Sequence, residues 1–329
     1  MLNPPYRYGQ DTTQWITVPP QGYGGIQWVV ATLIDGLLAA GCAILLVGAP
    51  GSPPRPGLTI SDATTPAAAL GALREFAPDV VHDHTNNQLL PTEAPWPTVR
   101  THHLNGALAN PANGVYLSHA QRGATGSARA PIIRLPVNPD RYTYRETKDA
   151  FLLFLGRVSA HKGARQAAAF AQAADLPLIL AGPVWEPDYL HGILADYPDT
   201  AQYIGEVGGP RRTGLLADAR ALLALSQPFG GPLGGEWIEP GATVVAEAAV
   251  SGTPVIATDN GCLAEIAPHV GIALRHGVVP TPEQAAKILA GLPTPEHLRA
   301  TAVERWGHHV IAAKYLEVYR RAAAGGSWS

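Results

Sequence analysis

The stretch "GGIQWVVATLIDGLLAAGCAILLVGAP", from Gly24 to Pro50, predicts a helix that leads into a buried strand. In its first part, apolar residues recur at the three- and four-residue spacing of an amphipathic helix, and Gly41 ends this pattern. The run "CAILLVGAP" is then continuously apolar and of strand length, as is typical of parallel strands buried on both faces. A helix followed by such a strand is the repeating unit of a doubly wound α/β domain.

The same alternation continues along the chain in two cycles. The first has a predicted helix at about Pro66–Phe76 and strands in "DVVHDH", "PTVRTHH" and "VYLSHA"; the second runs from "AFLLFLGRV" to "TPVIATD". The pattern predicts two domains, 1–143 and 144–329, with the boundary near Pro139–Lys148. Only "MLNPPY" precedes the first long loop, so either the chain starts late or the first strand is incomplete. The last helical pattern, about 301–323, is long enough to reach back across the first domain.

Composition and charge argue against several classes of protein. A chain of 329 residues with 46% hydrophobic and 15% charged residues is typical of a soluble globular protein. Its formal charge of −3, without any Lys/Arg-rich run, provides no general attraction to nucleic acid. No apolar run approaches the roughly 20 residues that span a bilayer, and no signal peptide is recognisable, so we expect a cytoplasmic protein without stable membrane association.

Candidate metal ligands are scattered rather than clustered. The two cysteines, Cys42 and Cys262, are too few for a disulfide framework or a zinc cage. The "HDH" motif starting at His82 places two imidazoles on one strand face, but further ligands in nearby segments are not evident. We therefore expect structural or substrate-facing histidines and no metal. His103 differs because it closes the strand "PTVRTHH", from where it could reach into an inter-domain cleft.

The first of three glycine-rich turns, "QGYGGIQ", stands immediately before a predicted helix. Unpaired amides at the start of that helix could bind an anion. The spacing is not that of the dinucleotide fingerprint, so NAD is not expected. A turn that needs glycine only for its backbone geometry is the alternative.

The second turn, "LGRVSAHKG", places Arg157 and Lys162 five positions apart between a buried strand and a helix. The carboxyl ends of strands are where open α/β sheets bind ligands, and two cations there could hold a diphosphate. The alternative is a pair of solvated surface charges.

The third turn, "EPGATVVAE", places Glu239 and Glu247 eight positions apart around a helix start. The backbone amides of Gly241, Ala242 and Thr243 should be unpaired there, and one ligand with two polar ends could contact both carboxylates. Sugar hydroxyls are natural partners for such acceptors. A glutamate that caps its own helix next to an exposed one, or a glycosidase-type carboxylate pair, remain the alternatives.

Taken together, these stretches resemble the retaining glycosyltransferases of family 4, over nearly the whole chain. The resemblance implies the α/β GT-B fold, with two Rossmann-like doubly wound domains facing a central cleft. The 1–143 domain would lie on the acceptor side and the 144–329 domain would bind the donor. The wording of "QGYGGIQWVV" and "EPGATVV" is similar to that of members that build orthosomycin (avilamycin-type) antibiotics. The family's usual Phe-Gly after the first glutamate is replaced here by "PGAT", and the preceding loop is longer, which leaves the donor sugar open.

The resemblance assigns a role to each catalytic candidate. Glu239 would contact the hydroxyls of the donor sugar, and Glu247 the ribose of the nucleotide. Arg157 and Lys162 would hold the diphosphate and stabilise it as it leaves. His103 would lie beside the reacting sugar.

The remaining donor-binding candidates follow in the same way. Gly24 and Gly25 match the glycine turn near the phosphates and the acceptor, and Glu206 and Val207 fall where the nucleobase lies. The implied reaction is retaining transfer of a hexosyl or pentosyl group from a nucleoside-diphosphate sugar to a soluble acceptor, such as an oligosaccharide antibiotic, without metal or cofactor. A nucleotide-sugar epimerase or hydrolase of the same fold and a non-catalytic sugar-binding relative are the alternatives, and a dinucleotide oxidoreductase is a third.

Overall fold

The computed structural model shows two compact units. The first unit comprises Met1–Pro136 and Trp306–Ser329, and the second comprises Val137–Arg305. The residues that the structure describes are 1–4, 6–8, 12–85, 88–91, 94–105, 112–125, 128–231 and 235–328.

The elements alternate between strands and helices along most of the chain. The strands are β1 (Tyr6–Tyr8), β2 (Thr12–Gln14), β3 (Ile44–Val47), β4 (Leu58–Ser61), β5 (Val81–Asp83), β6 (Thr98–Thr101), β7 (Gly114–Val115), β8 (Leu152–Leu155), β9 (Leu178–Ala181), β10 (Ala201–Tyr203), β11 (Ala221–Ala224), β12 (Val255–Thr258) and β13 (Gly271–Leu274). The α-helices are α1 (Gly25–Ala39), α2 (Pro66–Phe76), α3 (His119–Thr125), α4 (Ala164–Ala173), α5 (Pro187–Asp196), α6 (Gly209–Asp218), α7 (Thr243–Val250), α8 (Cys262–Ile266), α9 (Pro282–Ala290), α10 (Pro295–Trp306) and α11 (His308–Ala323). Within the described ranges, no helix combines the length and the apolar character that crossing a membrane requires.

The second unit is built on one six-stranded parallel sheet. Its strand order is β10-β9-β8-β11-β12-β13, so the chain moves outward in one direction from β8 and then returns to continue in the other from β11. This is the doubly wound order of a Rossmann-like domain, and the order reverses between β8 and β11. All four residues of β12 and the first three of β8 are buried, which explains why these strands are continuously apolar in sequence.

The first unit has parallel pairs β3–β4, β5–β6 and β6–β7. The fully buried Leu2 forms parallel bridges to both Val47 and Asp83, so one residue takes the place between β3 and β5. Of the described residues, Leu2 alone therefore occupies the place in the sheet where a first strand is expected. The terminal amino group of Met1 donates to the Leu45 carbonyl at 2.7 Å and continues this pairing.

The two long helices of the first unit, α1 and α11, pack closely. A side-chain carbon on Gly36 of α1 would overlap the carbonyl oxygen of His308 and would lie 2.8 Å from the Ala312 methyl group, so this contact requires glycine. The apolar pattern at 301–323 proves to be two helices, α10 and α11, rather than one. They are separated at Gly307, whose ψ of 138° is that of an extended residue and ends the helical path.

The division between the units falls slightly before the expected boundary at 143/144. The segment after Val137 is tied to the second unit: the Tyr142 hydroxyl donates to Glu247 at 2.9 Å, and Lys148 Nζ donates to Thr253 Oγ1 at 3.0 Å. These polar contacts have no local sequence signature, whereas the expected boundary follows from the alternation of strands and helices.

Candidate active site

Three of the four predicted catalytic side chains lie in loops beside the switch point of the six-stranded sheet, where the strand order reverses. Arg157 and Lys162 belong to the loop that follows β8, and Glu239 belongs to the segment between β11 and α7. β8 and β11 are neighbouring strands at which the order of the sheet reverses. In open α/β sheets this crevice at the carboxyl ends of the strands is the usual ligand site.

Glu239 and Lys162 form a buried ion pair. Lys162 Nζ lies 2.8 Å from Oε1 and 2.7 Å from Oε2 of Glu239, and the indole N–H of Trp237 donates to Oε2 at 3.1 Å. Burial acts to raise the pKa of Glu239, which is 5% exposed, but the charge of Lys162 and hydrogen bonds from Lys162 and Trp237 lower it below its usual value. The carboxylate therefore stays ionised and keeps lone pairs for further donors.

The backbone of Glu239 is held by the loop after β12. Its carbonyl accepts from the Cys262 N–H at 2.8 Å. Gly261 has a φ of +58°, and a side-chain carbon there would overlap the Glu239 carbonyl oxygen and lie 2.6 Å from the Glu239 nitrogen. Gly261 is therefore required both for its left-handed backbone and for the close approach that positions Glu239.

The loop carrying Lys162 is packed against the segment after β11. The Gln227 N–H and the Ser226 hydroxyl both donate to the His161 carbonyl, at 2.8 and 3.0 Å. Gly163 has a φ of +76°, and a side-chain carbon there would lie 2.6 Å from the Leu225 carbonyl carbon. This close packing brings the Lys162 ammonium within reach of Glu239 and 4.9 Å from the Trp237 ring centroid.

Arg157 is held differently from Lys162. Its guanidinium lies 3.7 Å from the centroid of the Trp185 ring, and Trp185 is itself tied to the same loop by its N–H, which donates to the Val158 carbonyl at 3.1 Å. The buried Nε of Arg157 has no hydrogen-bond partner among the described residues. Arg157 is thus held through the π face of its guanidinium, and its buried Nε–H is left without an acceptor in the described part of the chain.

Glu247 lies inside α7 with both carboxylate oxygens engaged. The Tyr142 hydroxyl donates to Oε1 at 2.9 Å, and Arg212 donates to Oε2. Burial and the charge of Glu247 raise the pKa of Tyr142. Burial acts to lower the pKa of Arg212, but the charge of Glu247 outweighs it and raises the pKa, so Arg212 stays positively charged. A ligand hydroxyl at Glu247 would join or replace these two donors.

The other donor-binding candidates of the second unit lie at the same edge of its sheet. Ala242 immediately precedes α7 and provides no side-chain hydrogen bond to its first amides, and Gly241 and Thr243 flank it. Glu206 and Val207 follow β10; the first is exposed and the second is buried. All five residues lie in segments that follow the carboxyl end of a strand, β10 or β11.

The first unit holds the glycine turn and the predicted histidine. Gly24 precedes α1 and Gly25 begins it, and a side-chain carbon on Gly25 would meet no atom within 4 Å. His103 follows β6, is half-buried, and its Nε2 lies 2.8 Å from His84 Nδ1. Burial and then the neighbouring His102 lower the pKa of His103 to about 3, so its imidazole is neutral at physiological pH. Among the described residues, no group of three or more His, Cys, Asp or Glu side chains is arranged to hold a metal ion.

Sequence reasoning missed five side chains that support the candidates. Each acts on a predicted residue through a contact that crosses loops or helices, so periodicity carries no signal for it. The only local hint is the aromatic residue in the glycine-rich "GGEWIE". The five residues are Tyr142, Trp185, Arg212, Ser226 and Trp237.

Comparisons with known proteins identify the family of the chain. Residues 141–299 match the family described as glycosyl transferases group 1. The crystal structure of AviGT4, a glycosyltransferase involved in avilamycin A biosynthesis, is 51% identical in sequence, with a TM-score of 0.94 over 100% of this chain and 98% of that one. The comparison with curated proteins gave no significant match.

More distant structures share the fold. Sucrose-phosphate synthase from Thermosynechococcus elongatus is 15% identical, with a TM-score of 0.74 over 94% of this chain and 98% of that one. HepE from Anabaena, solved in complex with UDP-glucose, is 16% identical, with a TM-score of 0.62 over 93% of this chain and 98% of that one. Given the identity to AviGT4 over the whole chain, this protein belongs to the group 1 glycosyl transferases and is a glycosyltransferase with the GT-B fold.

Proposed function

We propose that this glycosyltransferase moves a sugar from a nucleoside-diphosphate sugar to a soluble acceptor, with retention of configuration and without a metal ion. The observation that carries the proposal is the Lys162–Glu239 pair at the switch point of the second sheet, with Arg157 on the same loop. A diphosphate needs cations, and sugar hydroxyls need acceptors. The pair supplies both at one place.

The developing charges of glycosyl transfer fit these side chains. As the bond from the anomeric carbon to the phosphate oxygen breaks, the carbon becomes positive and the leaving diphosphate gains negative charge. Lys162 and Arg157 would stabilise the diphosphate, while Glu239 would hold hydroxyls of the sugar. The acceptor oxygen then bonds to the anomeric carbon on the same face, and its proton passes to the departing phosphate.

Glu247 would orient the nucleotide through its ribose. Its carboxylate is already held in place by Tyr142 and Arg212, so little freedom is lost when a ribose hydroxyl binds. In the same proposal, Glu206 and Val207 lie near the nucleobase, and the amides at Gly241–Thr243 face the ligand.

The acceptor is proposed to be an oligosaccharide antibiotic or a related natural product. Support comes from the 51% identity to AviGT4, which is involved in avilamycin A biosynthesis. The donor sugar, whether hexosyl or pentosyl, is left to experiment because the loop before Glu239 departs from the usual family pattern.

A thermal-melt screen tests the donor site directly. The protein is heated with UDP, GDP, dTDP or NAD, each with and without EDTA. A nucleotide at about a hundred times its dissociation constant adds roughly 2.7 kcal/mol of stability. We expect a shift with one nucleoside diphosphate that EDTA does not change, and loss of that shift in Lys162→Ala. A shift with NAD alone would contradict the proposal.

A second measurement follows the chemistry. The nucleotide-sugar that carries the identified base is incubated with an oligosaccharide acceptor, and proton NMR reads the anomeric configuration of the product. The proposal requires the configuration of the donor to be kept. Consumption of the donor at the same rate without acceptor would instead indicate a hydrolase or epimerase.

A further inference from the structure

A row of buried histidines extends through the first unit to His103. His82 lies on β5 and His84 just beyond it, two residues apart and therefore on one face, with ring centroids 3.9 Å apart. His82 and His84 are 2% and 3% exposed, whereas His103 is half-buried. His103 is thus the accessible end of the row.

Two hydrogen bonds connect β5 and the residue after it to β6 and the residues after it. Each joins two residues that are 19 positions apart in sequence. His82 Nε2 lies 2.7 Å from Thr101 Oγ1, and His84 Nδ1 lies 2.8 Å from His103 Nε2. Helix α11 closes the other side: the Tyr319 hydroxyl lies 2.6 Å from His82 Nδ1. His82 is therefore anchored to the helix, while the polar contact of His84 is directed to His103.

The proton between His84 and His103 can be assigned. Burial, followed by the proximity of other histidines, lowers the pKa of both His84 and His103, so both rings are neutral and share one proton across this contact. The other nitrogen of His84, Nε2, is buried and has no hydrogen-bond partner within the described part of the chain. Among buried backbone groups an N–H without an acceptor is rarer than an unused acceptor, and the same preference favours a bare Nε2. His84 then carries its proton on Nδ1 and donates to His103.

We propose that His84 is a positioning residue for His103: its Nδ1–H donates to His103 Nε2, fixes the ring and keeps the His103 proton on Nδ1. This inference rests on the proposed function and adds to it that His103 contacts the donor sugar. His103 presents Nδ1–H to an oxygen of that sugar as a neutral hydrogen-bond donor. It does not act as a base through Nε2, because that lone pair is occupied by His84.

Nitrogen NMR of the full chain, labelled with ring-15N histidine, tests the tautomer without any ligand. The signal of His103 is identified by its disappearance in His103→Asn. We expect a proton on Nδ1 and a bare Nε2 in the wild type. A proton on Nε2 of His103 would overturn the proposal, whatever the enzyme transfers.

Substitutions of His84 separate positioning from packing. In His84→Asn the side-chain amide nitrogen stands near the place of Nδ1 and can still donate, so the His103 tautomer and most of the turnover should be kept. In His84→Gln the amide lies one carbon further, near the place of Nε2, so the donor is misplaced. We expect the Nδ1–H tautomer to lose its dominance there and kcat to fall by about 10- to 100-fold, with less change in KM.

The matched control is His82→Asn. His82 is as buried as His84 and stacks on it, but it makes no hydrogen bond to His103 in the described structure. We expect this variant to lose thermal stability while the His103 tautomer is unchanged. Turnover is measured with UDP-, GDP- and dTDP-glucose, using the donor that the wild type consumes fastest.

The outcomes distinguish the two proposals. Absence of a thermal shift with every nucleoside diphosphate contradicts the proposed function but leaves the tautomer measurement intact. If His84→Gln folds and keeps both the Nδ1–H tautomer and the wild-type kcat, His84 does not position His103. If His84→Asn and His84→Gln lose turnover equally with unchanged tautomers, the role of His84 is packing only.

Discussion

Lys162 Nζ lies 2.7 Å from Glu239 Oε2, although the two residues are 77 positions apart in sequence. The pair joins the loop after β8 to the segment after β11, where the strand order reverses. Both side chains are largely removed from water, with 20% and 7% of their surfaces exposed. The same two side chains therefore contribute both to the stability of the second unit and to its candidate active site.

Removing one partner of this pair should affect activity far more than folding. Lys162→Ala leaves Glu239 buried without its cation, which we expect to cost at most about 3 kcal/mol because Lys162 is partly solvated. Transfer should be abolished, since the leaving diphosphate loses a stabilising charge. Urea unfolding and product formation measure the two effects. The neutral pair Lys162→Met with Glu239→Gln should regain stability but not activity, and full activity in either Lys162→Ala or Glu239→Gln would remove this site assignment.

The stability of the second unit should depend on pH through Glu239. Its folded pKa is lowered, so its contribution is fully present above the usual glutamate pKa and is lost as the pH falls through the folded value. Trp237→Phe removes the indole donor, raises the pKa of Glu239 and should move this loss to higher pH. Urea unfolding from pH 2 to 7 measures the shift. In a protein that already carries Glu239→Gln, adding Trp237→Phe should leave the pH dependence of stability unchanged. A shift in that double variant would assign the effect to another titratable group.

Gly261→Ala should displace Glu239 and abolish binding of the donor nucleotide. The added carbon would overlap the Glu239 carbonyl, and alanine would also be strained at the positive φ of this position. Gly277→Ala is the control, because its φ is +76° and nothing lies within 4 Å. Both variants should melt at lower temperature. Only Gly261→Ala should lose the nucleotide-dependent shift, and an equal loss in Gly277→Ala would refute the steric argument.

Tyr142→Phe should weaken nucleotide binding more than it slows transfer. It removes one donor to Glu247 and leaves Arg212 in place, a loss of about 1 kcal/mol, or roughly fivefold in the dissociation constant. Calorimetric titration with the nucleoside diphosphate measures the change. Tyr189→Phe also removes a tyrosine hydroxyl, which accepts a hydrogen bond from the Arg165 backbone N–H. It does not contact Glu247 and should not alter affinity. Equal affinity of Tyr142→Phe and the wild type would mean that Glu247 does not need this donor.

Gly36→Ala should destabilise the first unit by about 1–3 kcal/mol, because the added methyl group would push α1 from α11. Gly71→Ala, inside α2 and next to open space, should instead add about 0.5–1 kcal/mol. Thermal melting of both variants measures the difference in sign. A stabilised Gly36→Ala would show that the helices pack less closely than the structure has them.

The sequence by itself determined the elements and the class of the fold. Helix α2 begins at Pro66 and ends at Phe76 as its apolar spacing predicts, because Thr65 caps it locally and the pattern stops there. The buried strands β8 and β12 are equally readable, since strands covered on both faces are apolar throughout. The placement of the candidate loops can also be predicted from the sequence, because the carboxyl ends of parallel strands lie at one edge of a sheet.

The tertiary structure decided which side chains hold the candidates in place. Glu247 is met by Arg212 and Tyr142, which are 35 and 105 residues away, and His103 is met by His84. The break at Gly307 between α10 and α11 was also missed, because both helices continue one apolar pattern. Spacing along a chain reports only which face of its own element a residue occupies. Which neighbour it meets depends on strand order and on the close approach of backbones, as at Gly36 and Gly261, and these are properties of the packed molecule.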